Sequence, residues 1–541
     1  MLRFAETCER VAATTRKLEK ERILSEYLRG LDDQDLATAV RFFCGSPFAL
    51  RDQRTLNTGF AAVRDALLEL RPDWSDALGP ALLRHGDAGD AVAELMQAGP
   101  LRPAHLALRD AAAYYDRLTT SIAASERRRL TAEILGEASP LEAKYLLKIL
   151  LGGMRIGLQE GLVESSVAKA FGAALAELQR ANMMLGDLGE CALLARQGRH
   201  GEARMRLMHP LKPMLASPEE DTAKILETMD GLGFAEDKYD GIRAMIHKEG
   251  PQIRIFSRDL DDITGSFPDI VRSLSAAQGV FLLDGEIVPF RDGRILTFGE
   301  LQTRLGRKDL TQEILDAVPC RYFSFDVLYS DGMLLFSRPL RERKTVLESL
   351  NRSVPGAFSV SELRVVKSAE EIEAAFRASR ERNNEGLVIK HPESGYTPGK
   401  RGKSWLKLKR ALVTLDVVVV RAEYGHGKRR GLLSDYTFAV RHGERLLTIG
   451  KAYSGITDQE LAQLSEHFHR NSLARHGHYH EVVPEIVLEV AFDRINRSNR
   501  HTSGFALRFP RIKQIRWDKK PDEIDTLETV EKLYAQHFKP A

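Results

Sequence analysis

Cysteine is scarce in this sequence, and no two cysteines stand close together. A structural zinc module usually needs CxxC-type pairs, and a disulfide framework needs several cysteines at regular spacing. The observed spacing argues against both and is typical of a protein kept in a reducing cytosol. The four cysteines are Cys8, Cys44, Cys191 and Cys320.

Long apolar runs are also missing. Runs such as residues 417–420 are far too short to cross a bilayer, which takes about 20 apolar residues. The charged, amphipathic N-terminus MLRFAETCERVAATTRK lacks the apolar stretch of a secretory signal. We therefore expect a cytoplasmic protein without a membrane partner.

An excess of charge of one sign is lacking too. The 79 Lys and Arg residues nearly balance the 76 Asp and Glu residues and leave a formal charge of +3, so total charge alone identifies no partner. With 43% hydrophobic and 29% charged residues, the composition is typical of a globular rather than a disordered protein. A length of 541 residues predicts several domains.

Three regions differ in hydrophobic periodicity. Residues 1–205 carry apolar residues at three- and four-residue spacing, as in TAEILGEASPLEAKYLLKILLGG, which predicts an all-α domain. Residues 206–412 start with the connector PLKPMLA and combine helical stretches with alternating runs such as IRAMIHKEGPQIRIFSR and EIVPFRDGRILTF, which predict hairpins in an α+β domain. Residues 413–541 contain short strands between Gly-rich turns, as in DYTFAVRHG and RLLTIGKAY, which predict a small β-barrel.

The lysine of EDKYDGIR, Lys238, is the first candidate for chemistry. In a strand, Glu236, Lys238 and Asp240 share one face, and Gly241 allows a turn with close backbone approach to a ligand. Arg243 supplies a cation that can bind a phosphate through two parallel hydrogen bonds. Because lysine is a nucleophile only as the neutral amine, nearby cations or burial must favour loss of its proton.

Two lysines of SWLKLKR are candidates for those cations. Lys407 and Lys409 stand two positions apart on a predicted strand, so both ammonium groups point the same way. They would favour the neutral amine of Lys238 and stabilise charge on a transferring phosphoryl group. An edge strand with two solvated lysines explains the segment equally well when it stands alone.

Two glutamates and one phenylalanine complete the set of candidates. Glu286 in LLDGEIV and Glu385 in NNEGLVIK each stand at a strand start beside glycine. Magnesium prefers a few carboxylates plus substrate phosphate oxygens, so both are candidate metal ligands, although each alone is more often a turn or surface residue. Phe325 in YFSFDVLY is either a core residue or a face on which a purine stacks.

The order of these motifs is more specific than any one of them. EDKYDGIR, FSR, LLDGEIV, YFSFDVLY, EGLVIK, SWLKLK and RFPRIKQIRWDK follow one another from residue 236 to about residue 520. The series resembles that of the covalent nucleotidyltransferases, the superfamily of DNA ligases, RNA ligases and mRNA capping enzymes. The resemblance implies that Lys238 carries AMP or GMP as a phosphoramidate. It also implies an adenylation domain in the middle region and an OB-fold in the last.

The resemblance implies further roles for matching residues. Glu236 would contact the adenine amino group, Phe325 would stack on the base, Glu286 would bind near the ribose or the metal, and Glu385 would help hold the metal. The cations that would contact ribose or phosphates are Arg243, Arg258, Arg401, Lys407 and Lys409. The last motif, which orients the pyrophosphate leaving group of ATP, is matched by Arg508, Arg511, Arg516, Asp518 and Lys519. ATP and magnesium, with manganese as an alternative, are the implied cofactors.

The first region resembles the DNA-binding domain that precedes the core of archaeal and eukaryotic ATP-dependent DNA ligases. The matching segments are LEKERILSEYLRGL, MRIGL, GDLGECALLA and PLKPMLA. Glycines around Arg155, among them Gly157, predict a helix junction whose free N–H groups face DNA phosphates. A Gly-rich turn between two packed helices explains the same spacing.

The resemblance thus implies an ATP-dependent DNA ligase of bacterial or archaeal type, a monomer that encircles nicked double-stranded DNA in the nucleoid. No sliding-clamp-binding box is visible in the sequence. The nicotinamide-binding domain and four-cysteine zinc site of NAD-dependent ligases are not visible either. An RNA ligase or a capping guanylyltransferase is the nearest alternative, and a catalytically inactive DNA-binding scaffold is the second.

Overall fold

The computed structural model describes residues 1–541 except 100–104, 306, 308–309, 383, 409–412, 426–428, 430 and 538–541. Lys409, and the predicted border after residue 412, fall outside the described residues. None of the described helices is long and apolar enough to cross a membrane.

The first region is helical, as its periodicity predicts. Its α-helices are α1 (Leu2–Ala12), α2 (Lys17–Arg29), α3 (Asp33–Phe43), α4 (Phe60–Leu70), α5 (Leu78–His85), α6 (Ala88–Gln97), α7 (Leu108–Thr120), α8 (Ala124–Glu137), α9 (Pro140–Leu150), α10 (Glu160–Phe171), α11 (Leu175–Leu185) and α12 (Leu188–Arg196). A capping box between Ser139 and Glu142, with Pro140 at the first helical position, starts α9. The apolar faces meet in one core, in which Phe4 packs edge-on against Phe42 and Tyr145.

The middle region combines two mainly antiparallel sheets with helices. Its elements are β1 (Leu215–Pro218), α13 (Thr222–Thr228), β2 (Gly233–Lys238), β3 (Ile242–Glu249), β4 (Gln252–Ser257), α14 (Pro268–Ser275), β5 (Phe281–Arg291), β6 (Arg294–Ile295), α15 (Phe298–Arg304), α16 (Gln312–Ala317), β7 (Cys320–Ser330), β8 (Met333–Leu334), α17 (Leu340–Ser353), β9 (Ser359–Val360), β10 (Leu363–Val366), α18 (Ala369–Glu381), β11 (Gly386–Lys390) and β12 (Arg401–Leu408). One sheet has the order β1-β12-β11-β2-β10, and the other contains β4-β3-β5-β7-β8 with β6 and β9 at its margin.

The two hairpins predicted from alternation and Gly turns are confirmed as β3–β4 and β5–β6. The connector PLKPMLA differs from its prediction at its end. Leu215 and Ala216 begin β1, which pairs in parallel with β12, so the connector closes the edge of the first sheet.

The last region is rich in strands. Its elements are β13 (Val413–Tyr424), β14 (Leu433–His442), β15 (Arg445–Ala452), α19 (Asp458–Arg470), β16 (Ser472–His476), β17 (Tyr479–Val482), β18 (Val487–Phe492), β19 (Arg494–Arg497), β20 (Phe505–Arg508), β21 (Arg511–Ile515) and α20 (Leu527–His537). The long strand β13 pairs with β14 on one side and with both β17 and β18 on the other, which curves the sheet around its own core. Short 3-10 turns lie at Pro72–Trp74, His200–Glu202, Thr264–Ser266 and Pro521–Glu523. The predicted three-part fold class is confirmed.

Candidate active site

A cavity of about 310 Å³ opens between the two sheets of the middle region. Strands β2, β11 and β12 supply one wall, and β3, β5 and β7 supply the other. Candidate residues from six of the seven motifs line it, although they are scattered over the sequence. The lining residues from the motifs are Glu236, Lys238, Arg243, Arg258, Glu286, Phe325, Glu385 and Lys407, and the candidate Arg401 lines it as well.

Lys238 is the last residue of β2, where the strand runs out and its side chain reaches the cavity. Its Nζ lies 2.8 Å from Oε2 of Glu385. The register of β2 and β11 places Gly386 opposite Lys238, so the backbone brings the amine and the carboxylate together. The pair joins the candidate nucleophile to a candidate metal ligand.

Glu286 lies on β5, opposite Arg243 on β3. Burial raises the pKa of Glu286 to about 8, and the charges of Lys238 and Arg243 oppose that rise only in part. Burial thus outweighs the two neighbouring cations at this carboxyl group.

Arg243 is held rigidly rather than left free. Its guanidinium donates two hydrogen bonds to Asp284, at 3.1 and 2.7 Å, and Asp284 also accepts one from the Tyr396 hydroxyl at 2.6 Å. The Arg243 Cζ lies 5.2 Å from the ring centroid of Phe325. This arrangement fixes a cation beneath the aromatic wall of the cavity.

Phe325 is half-buried, and it forms part of an aromatic corner. Its ring meets Trp405 edge-on at 6.2 Å between centroids, and Lys390 Nζ lies 4.4 Å from the Phe325 centroid and 4.3 Å from that of Trp405. On the opposite wall, Val388 stands in register with Glu236. An exposed ring face of this kind is suited to stacking against another flat ring.

The loop after β2 departs from the strand prediction. Asp240 and Gly241 lie beyond the end of β2, so Asp240 does not continue the alternation of Glu236 and Lys238. A side chain at Gly241 would meet the carbonyl oxygen of Ile287 at 2.2 Å, which makes glycine necessary there. The close approach that Gly241 permits is thus to β5.

The C-terminal region reaches this loop. Arg508, at the end of β20, donates to Asp240 at 2.5 Å, and the next residue, Phe509, lines the cavity with a backbone φ of 49°. Burial raises the pKa of the Asp240 carboxyl above its ordinary value, and the charge of Arg508 offsets only part of that rise. The last motif therefore meets the first one directly.

The other residues of the last motif lie elsewhere on the C-terminal region. Arg516 and Lys519 both contact the carboxylate of Asp416, at 3.1 and 2.5 Å, and Arg516 also pairs with Asp518 at 2.8 Å. Arg511 begins β21 opposite Ala491. None of the four lines the cavity in the described part of the chain.

In the helical region, Arg155 lies in the turn between α9 and α10, with φ of 52°. Its side chain is 63% exposed, and its Nη1 donates to the carbonyl of Gly86 at 2.5 Å. Gly157 has φ of 64°, and a side chain there would meet Nζ of Lys20, which donates to the carbonyls of Ile156 and Gly157. Arg155 is thus presented to solvent from a tightly held turn.

Several residues of the site were not singled out in the sequence: Asp284, Val388, Lys390, Tyr396, Trp405 and Phe509. The signal for two of them was present, because period-two alternation in EGLVIK places Val388 and Lys390 on one face of β11. No local pattern marks Asp284 or Tyr396, whose importance follows from their contacts with Arg243.

Comparison with known protein families shows to which family this chain belongs. Three family models match the chain in order: DNA ligase N terminus over residues 1–168, ATP dependent DNA ligase domain over 213–409, and ATP dependent DNA ligase C terminal region over 429–519. The chain belongs to the ATP-dependent DNA ligase family. Similar members include a probable DNA ligase of Koribacter versatilis, 44% identical, with 99% of this chain and 96% of the relative covered. A DNA ligase of Methanothrix thermoacetophila is 37% identical, with 98% of each chain covered.

Solved structures give the same picture of the fold of this ligase family member. The structure described as Pmar-Lig_PreS3 superposes with a TM-score of 0.63 at 18% identity, and covers 95% of this chain and 99% of that one. At this identity the likeness concerns the fold. It extends over all three regions, so the likeness is not limited to the nucleotidyltransferase core.

Proposed function

We propose that this ligase seals nicks with 3′-hydroxyl and 5′-phosphate ends in duplex DNA, with Lys238 as the residue that carries AMP. Nζ of Lys238 attacks the α-phosphorus of ATP, a P–N bond forms, and pyrophosphate leaves. An oxygen of the 5′-phosphate at the nick then attacks the phosphorus of this AMP, the P–N bond breaks, and the amine of Lys238 is released. Finally the 3′-hydroxyl attacks that phosphate, AMP leaves, and the backbone is closed.

One observation carries this proposal. Lys238 lies in a cavity together with a half-buried aromatic wall, four carboxylates and several cations, as a nucleotide with a triphosphate requires. Phe325 offers a face for the adenine, and Glu236 offers an acceptor for its amino group. Arg258, Arg401 and Lys407 face the same space and suit the ribose and phosphates, and Arg243, which is already paired with Asp284, adds positive charge to it.

Glu286 and Glu385 are the residues that we assign to magnesium, with manganese as an alternative. Carboxylate oxygens are the ligands that Mg²⁺ prefers, and both carboxylates line the cavity beside Lys238. Among the described residues no group of three or more His, Cys, Asp or Glu can hold a metal, so we assign the remaining coordination positions to substrate phosphate oxygens and water. When bound, the ion neutralises charge on those oxygens.

The helical region is assigned to duplex binding, with Arg155 and the turn at Gly157 as DNA contacts. Because a nick has no sequence of its own, contacts to the backbone and to groove shape should dominate over contacts to base edges. We propose a monomer that encircles the DNA in the nucleoid of the cytoplasm and acts in replication, repair or recombination. No clamp-binding segment is assigned.

A substrate panel tests this function. Purified protein is incubated with ATP, GTP or NAD, each labelled so that the transferred nucleotide is followed, and then chased with nicked DNA or nicked RNA. We expect transfer from ATP and sealing of nicked DNA. If the protein seals nicked RNA but not nicked DNA, the RNA-ligase alternative is favoured. If no nucleotide transfers its label to the protein, the inactive scaffold is favoured.

A further inference from the structure

The end of the cavity that would receive the base contains an unusual trio of charged side chains. Glu236 is almost completely buried, and each of its carboxylate oxygens accepts a hydrogen bond from a different lysine. Lys344 donates to Oε1, and Lys390 donates to Oε2. The three side chains are between 2% and 7% exposed.

The two lysines approach Glu236 from different directions. Lys390 lines the cavity and lies against the rings of Phe325 and Trp405. Lys344 lies on α17, and it is absent from the cavity wall. A base that enters the cavity must therefore compete with Lys390 for Oε2, whereas its entry leaves the contact between Lys344 and Oε1 in place.

Lys344 is also held in position by its neighbour. Arg343 is fully buried and donates to both carboxylate oxygens of Asp326 on β7, at 2.8 and 2.9 Å, and to the carbonyl of Ser394 at 2.8 Å. These contacts fix the first turns of α17 on the sheet. The Lys344 amine consequently meets Glu236 from a rigid support.

Burial lowers the pKa of Lys390 to about 7 and that of Lys344 well below its ordinary value. An amine donates a hydrogen bond in either protonation state, so the contact of Lys344 with Oε1 does not depend on its charge. A donor on Oε1 stabilises the carboxylate form, in which Glu236 can only accept.

We propose that Lys344 is a specificity-determining positioning residue, which holds Glu236 as an acceptor-only carboxylate so that the site takes a 6-aminopurine and rejects a 6-oxopurine. The inference rests on the proposed ATP site. A 6-amino group donates to Oε2. A 6-oxo group instead directs its lone pairs at the carboxylate and is repelled, unless Glu236 is free to rotate or to take up a proton.

ATP and inosine triphosphate are the matched pair for the test, because inosine replaces the 6-amino group by an oxo group and has no 2-amino group. The rate of AMP or IMP transfer to the protein is measured against nucleotide concentration for the wild type and for Lys344→Met. We expect the ATP-to-ITP ratio of kcat/KM to fall at least tenfold, mainly through KM. A substitution that only destabilised the fold would lower the rates of AMP and IMP transfer together and leave their ratio unchanged.

Three further variants complete the test. Lys344→Gln, whose polar amide is easier to bury but too short to reach Oε1, should lose selectivity as Lys344→Met does. Lys344→Arg keeps a donor and should retain most of the selectivity, and Arg352→Met, exposed at the far end of α17, should leave it unchanged.

Thermal melting and affinity for nicked duplex report that each variant is folded. A ratio within twofold of wild type in folded Lys344→Met or Lys344→Gln would overturn the inference. Failure of the wild type to accept AMP from ATP would instead overturn the proposed function.

Discussion

Arg508 and Asp240 form an ion pair with 2.5 Å between Nη1 and Oδ2, although they belong to the C-terminal and middle regions of the chain. Both side chains are largely buried in the contact. Asp240 stands two residues after Lys238, so the pair closes the C-terminal region over the proposed nucleophile. Phe509 enters the cavity beside it.

Arg508→Ala should slow transfer of AMP to the protein roughly tenfold to a hundredfold, about 1.4–2.8 kcal/mol of barrier. The variant leaves Asp240 buried without its cation and removes a positive charge from the end of the cavity that we propose for the pyrophosphate. Sealing of a pre-adenylated nick releases no pyrophosphate and should be less affected. Single-turnover rates of the two steps measure this difference.

Arg445→Ala, exposed on β15, is the control for this prediction. Equal losses in both steps for Arg508→Ala would contradict the account.

Phe325→Ala should raise KM for ATP while the protein remains folded. Stacking of a base on an aromatic ring contributes about 1–3 kcal/mol, so the increase should be on the order of five- to a hundredfold. Phe325→Tyr keeps the ring face and serves as the control. An unchanged KM in Phe325→Ala would mean that the ring serves only the core around Trp405.

Glu286→Gln should lower AMP transfer on the order of a hundredfold and raise the magnesium concentration needed for half-maximal rate. The amide removes one negative ligand while it preserves the size of the side chain. Initial rates over a magnesium titration measure both effects. Glu313→Gln, exposed on α16, provides the matched control, and an unaltered magnesium requirement in Glu286→Gln would exclude Glu286 as a ligand.

Arg155→Ala should weaken binding of nicked duplexes of any sequence and reduce the slope of log affinity against log salt by about one. Arg155→Lys keeps the charge and should retain the slope. Fluorescence anisotropy over a salt series measures both variants. If affinity is unchanged and only the melting temperature falls, Arg155 serves the turn through Gly86 and not the DNA.

Local patterns predicted much of this architecture. Alternation with Gly turns identified the β3–β4 and β5–β6 hairpins because hairpin pairing is local, and motif order identified most of the cavity wall. Contacts between distant segments could not be predicted in this way. Lys344 stands 108 residues from Glu236, and its place follows from how Arg343 packs α17 on the sheet. Likewise, nothing local indicates that Asp284 clamps Arg243 or that Asp240 leaves the strand to meet Arg508.

The most direct test of the central claim is transfer of label from ATP labelled at the α-phosphate to Lys238. The wild type should carry labelled AMP on a denaturing gel and lose it when nicked DNA is added. Lys238→Ala should carry none, yet should still bind nicked duplex and seal pre-adenylated nicks, because that step no longer needs the amine. Label on Lys238→Ala at the wild-type level would contradict the account.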